Sequence, residues 1–467
     1  MARWNNDSLK AALNIDMPFA VVAHNLCIDS RQLQRGDIFI ALKGKNDGHD
    51  YVKQAFEQGA SCAIVERTPD NFNDSTRLIH VDDTFKALTN LGIYGRNIAT
   101  KMKAIAVTGS VGKTTVKEML RSTLHYFGPT IYSRASYNNH LGVPLSLSLL
   151  NSDTQYGVFE VGTNHVGEIA PLAKLVRPEI AIITTVSPSH IGNMGSLEAI
   201  VDEKCQIFSG LCQNGIAMMH GDHHLFERMQ HNAKAHGVSK IFTVGSKSGV
   251  DAQLLRYQPI SQGTKGLVTA EIFGKIIAYP LQFAGEHYAL NSLYVLLTAE
   301  IIGIDLGKTI QQLAKVQPVI GRGQINNLQL ANGLPIFVFD DSYNANPTSM
   351  IAGLKSFCAM QHQGRTIAVI GQMGELGERS DAYHVEIAEY INTLPIDYVH
   401  VVGSGAKCLH QAIDTKKRGD WFATVDGLKE NFISELHGNE SIFLKGSLSQ
   451  RLSELVAVLK SQLRVVA

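Results

Sequence analysis

KAIAVTGSVGKTTVKE, Lys103 to Glu118, is the stretch that decides how this chain folds and where a nucleotide triphosphate must sit. The apolar run Ala104–Val107 reads as a buried strand, Thr108–Thr115 as a Gly-rich turn, and Val116, Met119, Leu120 and Leu124 recur at helical spacing. Strand, glycine loop and helix in that order turn backbone N–H groups and a helix N-terminus toward a phosphate chain. Gly109 and Gly112 let the backbone approach without a clashing Cβ. Lys113 has the reach for terminal phosphates, and the Thr114 hydroxyl suits Mg²⁺. The loop Thr108, Gly109, Ser110, Val111, Gly112, Lys113, Thr114, Thr115 is therefore the expected nucleotide cradle. Two residues separate Gly109 from Gly112, whereas the phosphate loop of GTPases and motor ATPases has four between its glycines. No Asn-Lys-x-Asp guanine-reading motif occurs, which argues against a GTPase.

At 467 residues the chain exceeds a single core, and its length predicts about three domains. Lys plus Arg and Asp plus Glu both number 42, so no global charge draws the protein to nucleic acid or to an anionic membrane. Any anionic ligand must be held by local groups. MARWNNDSLK lacks the apolar core of a signal peptide, and no run approaches the length of a membrane span. The six cysteines (Cys27, Cys62, Cys205, Cys212, Cys358, Cys408) form no C-x-x-C pair and read as reduced core thiols of a cytoplasmic protein.

The pattern along the chain predicts an α/β protein of three domains. Residues 1–102 read as a mixed α/β N-terminal module, with strands Asp37–Leu42 and Cys62–Glu66 and helices Tyr51–Gln58 and Thr84–Asn97. Residues 103–319 read as a central P-loop ATPase domain with a parallel sheet. Its strands are Ala104–Val107, Gly157–Val161, Ile180–Val186, Gly215–Met219 and Ile241–Val244, with a small antiparallel insert over Leu254–Leu281. Residues 320–467 read as a Rossmann-like, doubly wound C-terminal domain with strands Ile336–Phe339, Thr366–Ile370, Tyr398–Val402 and Ser441–Leu444. It has no complete phosphate loop and no G-x-G-x-x-G, so it is expected to complete an active site rather than bind a dinucleotide.

Ligands of open α/β sheets bind at the carboxyl ends of strands, and several polar constellations fall there. Glu160 ends a strand in Glu-Val-Gly, where a carboxylate can hold Mg²⁺ beside the phosphate loop. The next strand ends in Ser187-Pro188-Ser189-His190, and a lone His such as His190 is as readily structural as a ligand. Lys204 sits in the apolar stripe Leu197, Ile200, Val201, Ile207, Phe208, Leu211 of the helical stretch Ser196–Leu211. Either it snorkels to solvent, or burial leaves a neutral amine able to capture carbon dioxide as a carbamate; the sequence leaves both open. DDSYNANP (Asp340–Pro347), GQMGELG (Gly371–Gly377) and LKGS (Leu444–Ser447) each follow a strand of the last segment and form a plausible second half of a cleft.

With these motifs on the page, the chain resembles the Mur ligase family, which builds the peptide stem of bacterial peptidoglycan. The likeness runs essentially end to end: DSRQLQRGDIFIALKGKNDGHDYV, TGSVGKTTVKE, NNHLGVPLSL from Asn138, EVGTNHVGEI, SPSH with Lys204 beyond it, GEHYALN, GRG, DDSYNANPTSM, GQMGELGERS and LKGS. DDSYNANP together with GKTTVKE is similar to the branch that adds D-alanyl-D-alanine. The diaminopimelate-adding sibling typically carries Asp-Asn-Pro-Arg, absent here. Two departures stand out. Leu448 follows LKGS where this branch usually has Arg, and DEKCQIF has Cys and Gln where Gly and Glu are common.

The resemblance implies an ATP-dependent ligase that joins D-alanyl-D-alanine to UDP-N-acetylmuramoyl-tripeptide through an acyl phosphate, with ATP, Mg²⁺ and a carbamylated Lys204. Lys113, Glu160, His190 and Lys204 would be catalytic, with Thr114 and Glu160 holding one Mg²⁺ and His190 with Lys204 the other. His287 and Asn291 would lie near adenine, Arg322 on phosphate and Asp341 near the ribose. Ser30, Arg31, Lys43, Gly44 and Asp47 would line a uridine-nucleotide site, Asn138 and Asn139 would touch substrate, and Tyr343, Asn344 and Asn346 would orient the dipeptide. A monomer without nucleic-acid or membrane partners is expected. The rivals are another Mur-type ligase, whether the diaminopimelate-adding sibling or a folylpolyglutamate-type enzyme, and a nucleotide-gated binding protein without chemistry.

Overall fold

Short apolar runs separated by Gly and Asp build the N-terminal sheet. In the computed structural model, which describes residues 3–70, 72, 75–134 and 136–466, four parallel strands pair in chain order. They are β1 (Leu26–Cys27), β2 (Ile38–Ile40), β3 (Cys62–Val65) and β4 (Leu78–His80). The strand expected over Asp37–Leu42 shortens to β2 because Asp37 turns its carboxylate back to accept the Gln34 N–H (3.1 Å). Helix α1 (Thr84–Ile98) starts where the Asp83 side chain accepts the Lys86 N–H, and it covers the sheet with Leu88 and Leu91. That core also takes in Leu145, from the helix Gly142–Leu147 of the next segment. Gly92 and Gly95 press on this helix so closely that a Cβ would lie 2.8 and 2.3 Å from the carbonyl oxygens of Pro144 and Leu147. Buried Arg96 seals the seam, donating to the carbonyls of Val176 (2.7 Å) and Arg177 (3.0 Å).

The next sheet grows around β5 (Lys103–Thr108), whose alternate residues feed two cores. Ile105 and Val107 enter one, Ala104 and Ala106 the other, as a strand covered on both faces requires. Helix α2 (Lys113–Leu124) sends Val116, Met119, Leu120 and Leu124 into the Ile105 core, as their spacing predicts. On one side of β5 lies β7 (Tyr156–Glu160) and beyond it β6 (Thr130–Tyr132). On the other lie β8 (Ile180–Ile183), β9 (Ile216–His220), β10 (Lys240–Gly245) and β11 (Ala252–Ile260), all parallel. The chain thus leaves β5 in both directions, and the phosphate loop sits at this switch point. The antiparallel run expected over Leu254–Leu281 is present as β11, β12 (Lys265–Ile272) and β13 (Lys275–Leu281), but it extends the main sheet rather than standing apart. Two helices of this segment matter below: α3 (Leu197–Cys205) and α4 (Glu286–Ile302).

The last sheet has the order β18-β17-β16-β19-β15-β14-β20, from β14 (Gln324–Gln329), β15 (Pro335–Asp340), β16 (Thr366–Gly371), β17 (Tyr398–Val402), β18 (Arg418–Phe422), β19 (Ser441–Lys445) and β20 (Arg464–Val465). Five strands pair in parallel, and β14 runs against both of its neighbours, β15 and β20. Helices α5 (Pro347–Cys358) and α6 (Ser380–Asn392) cover Phe339, Ala368 and Ile370, while α7 (Leu452–Gln462) covers Val338, Ile367 and Val369 from the opposite face. The doubly wound expectation holds. Thiols need one correction: Cys27, Cys62 and Cys205 are buried, but Cys212, Cys358 and Cys408 are only half-buried, and all six are free. Among the described residues no helix is long and apolar enough to cross a membrane.

Candidate active site

The phosphate loop is held open by backbone and pinned from below. Gly109 (φ 147°) and Gly112 (φ 87°) both take positive φ, and a Cβ on them would strike Thr184 Oγ1 (2.0 Å) and Asn291 Oδ1 (2.8 Å). Ser110 N–H donates to the Thr185 carbonyl (2.8 Å), the Ser110 hydroxyl to the Ser187 carbonyl (2.9 Å), and Thr184 Oγ1–H to the Val111 carbonyl (2.5 Å). These bonds explain why β8 stops at Ile183 rather than at Val186. Lys113 folds back to donate to the Gly109 carbonyl (2.6 Å), and burial lowers its pKa, opposed by the charge of Glu160.

A cavity of about 420 Å³ opens above this loop, between the carboxyl ends of the middle and last sheets. Ser110 to Thr115, Asn138, Glu160 and His190 line it from the middle sheet, with His287 and Asn291 from α4. Arg322, Asp341, Tyr343, Asn344 and Asn346 line it from the last segment. Glu160, buried at the end of β7, accepts from the Thr114 hydroxyl (2.9 Å) on one oxygen and from the Asn138 amide (2.9 Å) on the other. Across the gap the Arg322 guanidinium stacks on the Tyr343 ring (4.1 Å), whose hydroxyl meets Ser136 Oγ (2.5 Å). Asn346 caps α5, accepting the Ser349 N–H, and its amide donates to Ser187 Oγ (3.5 Å). His287 is pushed down to about 3, chiefly by burial and secondarily by the Lys445 charge, so its ring is a neutral donor–acceptor at neutral pH. Burial raises Asp341, against the pull of Lys445, whose ammonium donates to its carboxylate (2.5 Å) and to the Asn344 carbonyl (3.1 Å). Leu448 presents an exposed apolar side chain at the cavity edge.

Sequence models for three Mur ligase parts match in order: "Mur ligase family, catalytic domain" over residues 22–120, "Mur ligase middle domain" over 107–299, and "Mur ligase, glutamate ligase domain" over 322–448. The UDP-N-acetylmuramoyl-tripeptide–D-alanyl-D-alanine ligase of Rickettsia prowazekii is 33% identical over 453 residues, covering 97% of this chain and 99% of that protein. The chain belongs to the Mur ligase family. The Escherichia coli protein of the same name is 33% identical over 92% of each chain. The crystal structure of MurF from Acinetobacter baumannii superposes with a TM-score of 0.83 at 30% identity, covering 98% of both chains.

Not every residue expected of a Mur ligase site reaches the cavity. Thr108 and Gly109 do not line the cavity, and Asn139 is turned to nearby backbone, accepting the N–H groups of Leu141 (3.2 Å) and Gly142 (3.0 Å). Lys204 lies behind the cavity wall, fully enclosed on α3. It does not snorkel, because it is only 2% exposed, and burial together with the nearby Lys113 charge holds its pKa well below the ordinary lysine value. The helix expected to run to Leu211 instead tightens into a 3₁₀ turn from Gln206. Ser30, Arg31, Lys43, Gly44 and Asp47 belong to the N-terminal segment and do not line this cavity, each engaged with partners of its own. Ser30 donates to Gln54 (2.8 Å), Arg31 forks onto Asp29, Lys43 pairs with Glu66, and Gly44 donates to the Asn46 carbonyl (3.1 Å). Asp47, lowered to about 2 chiefly by accepting the His49 backbone N–H, also receives Arg67 (3.2 Å). Among the residues not singled out from the sequence are Lys445, which fixes the DDSYNANP loop, and Glu375 of GQMGELG, which lies against His190. Both lay inside quoted motifs; only tertiary contact singles them out.

Proposed function

We propose that this chain joins D-alanyl-D-alanine to UDP-N-acetylmuramoyl-tripeptide at the expense of ATP, giving the UDP-muramoyl-pentapeptide precursor of peptidoglycan with ADP and phosphate. The end-to-end likeness to relatives of that name supports the assignment of both substrates. The observation that carries it is the meeting, on one cavity, of a phosphate loop from the middle sheet and the DDSYNANP loop from the last. A carboxylate oxygen of the tripeptide attacks the terminal phosphorus of ATP and ADP leaves. The dipeptide amine then attacks the acyl carbon, loses a proton, and phosphate departs. The first step brings a carboxylate to a triphosphate, so the Ser110–Thr114 amides and Lys113 neutralise charge that would otherwise repel it.

Mg²⁺ fits beside the loop. Among the described residues no three His, Cys, Asp or Glu side chains cluster as a ready-made metal site, but Thr114 and Glu160 offer adjacent oxygens, and phosphate and water complete such a shell. When bound, the ion screens the triphosphate and polarises its terminal phosphoryl group. His190 and a carbamylated Lys204 are the second set, supported by the enclosed, neutral-favouring setting of the lysine. The ribose falls to Asp341, phosphate to Arg322, adenine to His287 and Asn291, substrate to Asn138, and the dipeptide to Tyr343, Asn344 and Asn346. Ser30, Arg31, Lys43, Gly44 and Asp47 take the uridine nucleotide. Domain limits at 102/103 and 319/320, a monomeric state and a cytoplasmic location complete the proposal.

Phosphate release measured with ATP, UDP-muramoyl-tripeptide and either D-alanyl-D-alanine or diaminopimelate tests it. Turnover is expected with the dipeptide only, and turnover with diaminopimelate only sinks it. For the carbamate, Lys204→Ala is expected to lose nearly all activity and to regain part of it with added short carboxylates. Full activity without them rules the carbamate out.

A further inference from the structure

Resting on the ligase reading above, we propose that Glu375 is a positioning residue: carried on the last sheet, it sets the His190 ring of the middle sheet and makes that setting depend on closure of the cavity. Two segments meet at this point. His190 heads the short helix Ile191–Met194, and Glu375 sits in the Gly371–Gly377 loop beyond β16. Both hold left-handed backbone, at φ 57° and 62°, which non-glycine residues adopt at a cost. The Glu375 carbonyl accepts the Gly192 N–H (3.2 Å). Gly192 itself abuts Gly377, where a Cβ would come within 2.8 Å of the Gly377 nitrogen. The Glu375 carboxylate lies against His190 Nδ1, a close contact without the alignment of a good hydrogen bond.

Stability does not account for this pairing. The Glu375 side chain is 49% exposed, and even a fully charged contact that solvated adds little to folding. Its consequence is directional. An imidazole whose Nδ1 faces a carboxylate has its orientation fixed and keeps Nε2 as the nitrogen without that partner, on a ring that lines the cavity. His190 therefore has its working geometry only while the last sheet is docked, and the acceptor half of the site reports its presence to the phosphoryl half.

Glu375→Ala, Glu375→Gln and the wild-type enzyme separate the outcomes. In Glu375→Ala, kcat is expected to fall about tenfold to a hundredfold, the scale of lost partners behind a ligand histidine. KM for D-alanyl-D-alanine should hold within about twofold, and half-saturating Mg²⁺ should rise several-fold. Glu375→Gln, which keeps an acceptor opposite Nδ1, should recover part of kcat. The NMR shifts of the His190 ring nitrogens should change in Glu375→Ala with no ligand present. If the wild type ligates while Glu375→Ala keeps kcat and Mg²⁺ dependence within twofold of it and leaves the His190 ring shifts unchanged, the positioning role is overturned and the ligase reading stands. If the wild type does not ligate, the ligase reading falls, and unchanged His190 ring shifts overturn the positioning role independently.

Discussion

The molecule has two seams, and they differ in how much polar side chain they hold. Between the N-terminal and middle sheets the chain packs backbone on backbone. Gly92 and Gly95 abut the carbonyls of Pro144 and Leu147, Leu145 enters the N-terminal core, and Arg96 satisfies two carbonyls inside the join. Between the middle and last sheets side chains meet around a cavity, His190 with Glu375, Ser136 with Tyr343 and Asn346 with Ser187, while backbone touches backbone only at its margins, as at Gly192 with Gly377 and Gln361 with Gln262. A dry seam with no space for a methyl group cannot slide, whereas polar contacts exchange readily with water. The polar seam is therefore the one expected to open and close, with the first two sheets moving together.

Substitutions on each side sharpen that contrast. The largest effect is expected at the polar side: Lys113→Ala should lose about 10²–10³ in kcat, the scale of lost transition-state electrostatics, while its thermal unfolding matches the wild type. Near-normal turnover would show that the loop has been misread. Gly95→Leu should do the reverse. Its Cβ begins 2.3 Å from the Leu147 carbonyl oxygen, and overpacking of this kind costs about 1–3 kcal/mol, seen as a lower urea midpoint with kcat of the folded enzyme little changed. An unaltered midpoint would mean the seam can open.

Acid should loosen the polar seam next. His287 sits at about 3 when folded against an ordinary 6.5, so the unfolded chain binds its proton first. Its contribution is complete above pH 6.5 and is lost as pH falls from there toward 3. The ring is half-buried with an edge on the cavity, so roughly 1 kcal/mol is expected to go between pH 7.5 and pH 5, about half the full linkage value. His287→Asn should flatten that slope in urea titrations; an unchanged slope would assign it to other groups. The smallest effect belongs to Tyr343→Phe, which removes one neutral contact with Ser136 worth about 0.5–1.5 kcal/mol, so ligation should slow less than about tenfold.

The legible parts of this fold are those where local chemistry and tertiary role coincide. Val116, Met119, Leu120 and Leu124 announce the covered face of α2, and the same helix carries Lys113 and Thr114 to the cavity. Glu160 is readable because a strand end fixes it. By contrast β14, QINNLQ, is too polar to announce a strand and exists because β15 and β20 flank it. The N-terminal strands β1 and β4 are too short for any period to show. Lys204 lies in the apolar stripe visible in the sequence, yet only enclosure by the rest of the domain decides between solvent and interior. Glu375 is the extreme case. Its motif is visible, but its partner is contributed by a different sheet, and no local pattern encodes a contact of that span.

Strand order in the last sheet has a consequence for synthesis. β19 is the last of the five parallel strands to leave the ribosome, yet it lies in the middle, hydrogen-bonded to β15 on one side and β16 on the other. Until residues 441–445 emerge, those two strands have no common neighbour and the DDSYNANP loop lacks Lys445. The middle sheet, whose strands end at Leu281, is translated well before that. A nascent chain can thus possess its nucleotide cradle while the opposing wall is still unbuilt, and the wall closes only as translation finishes.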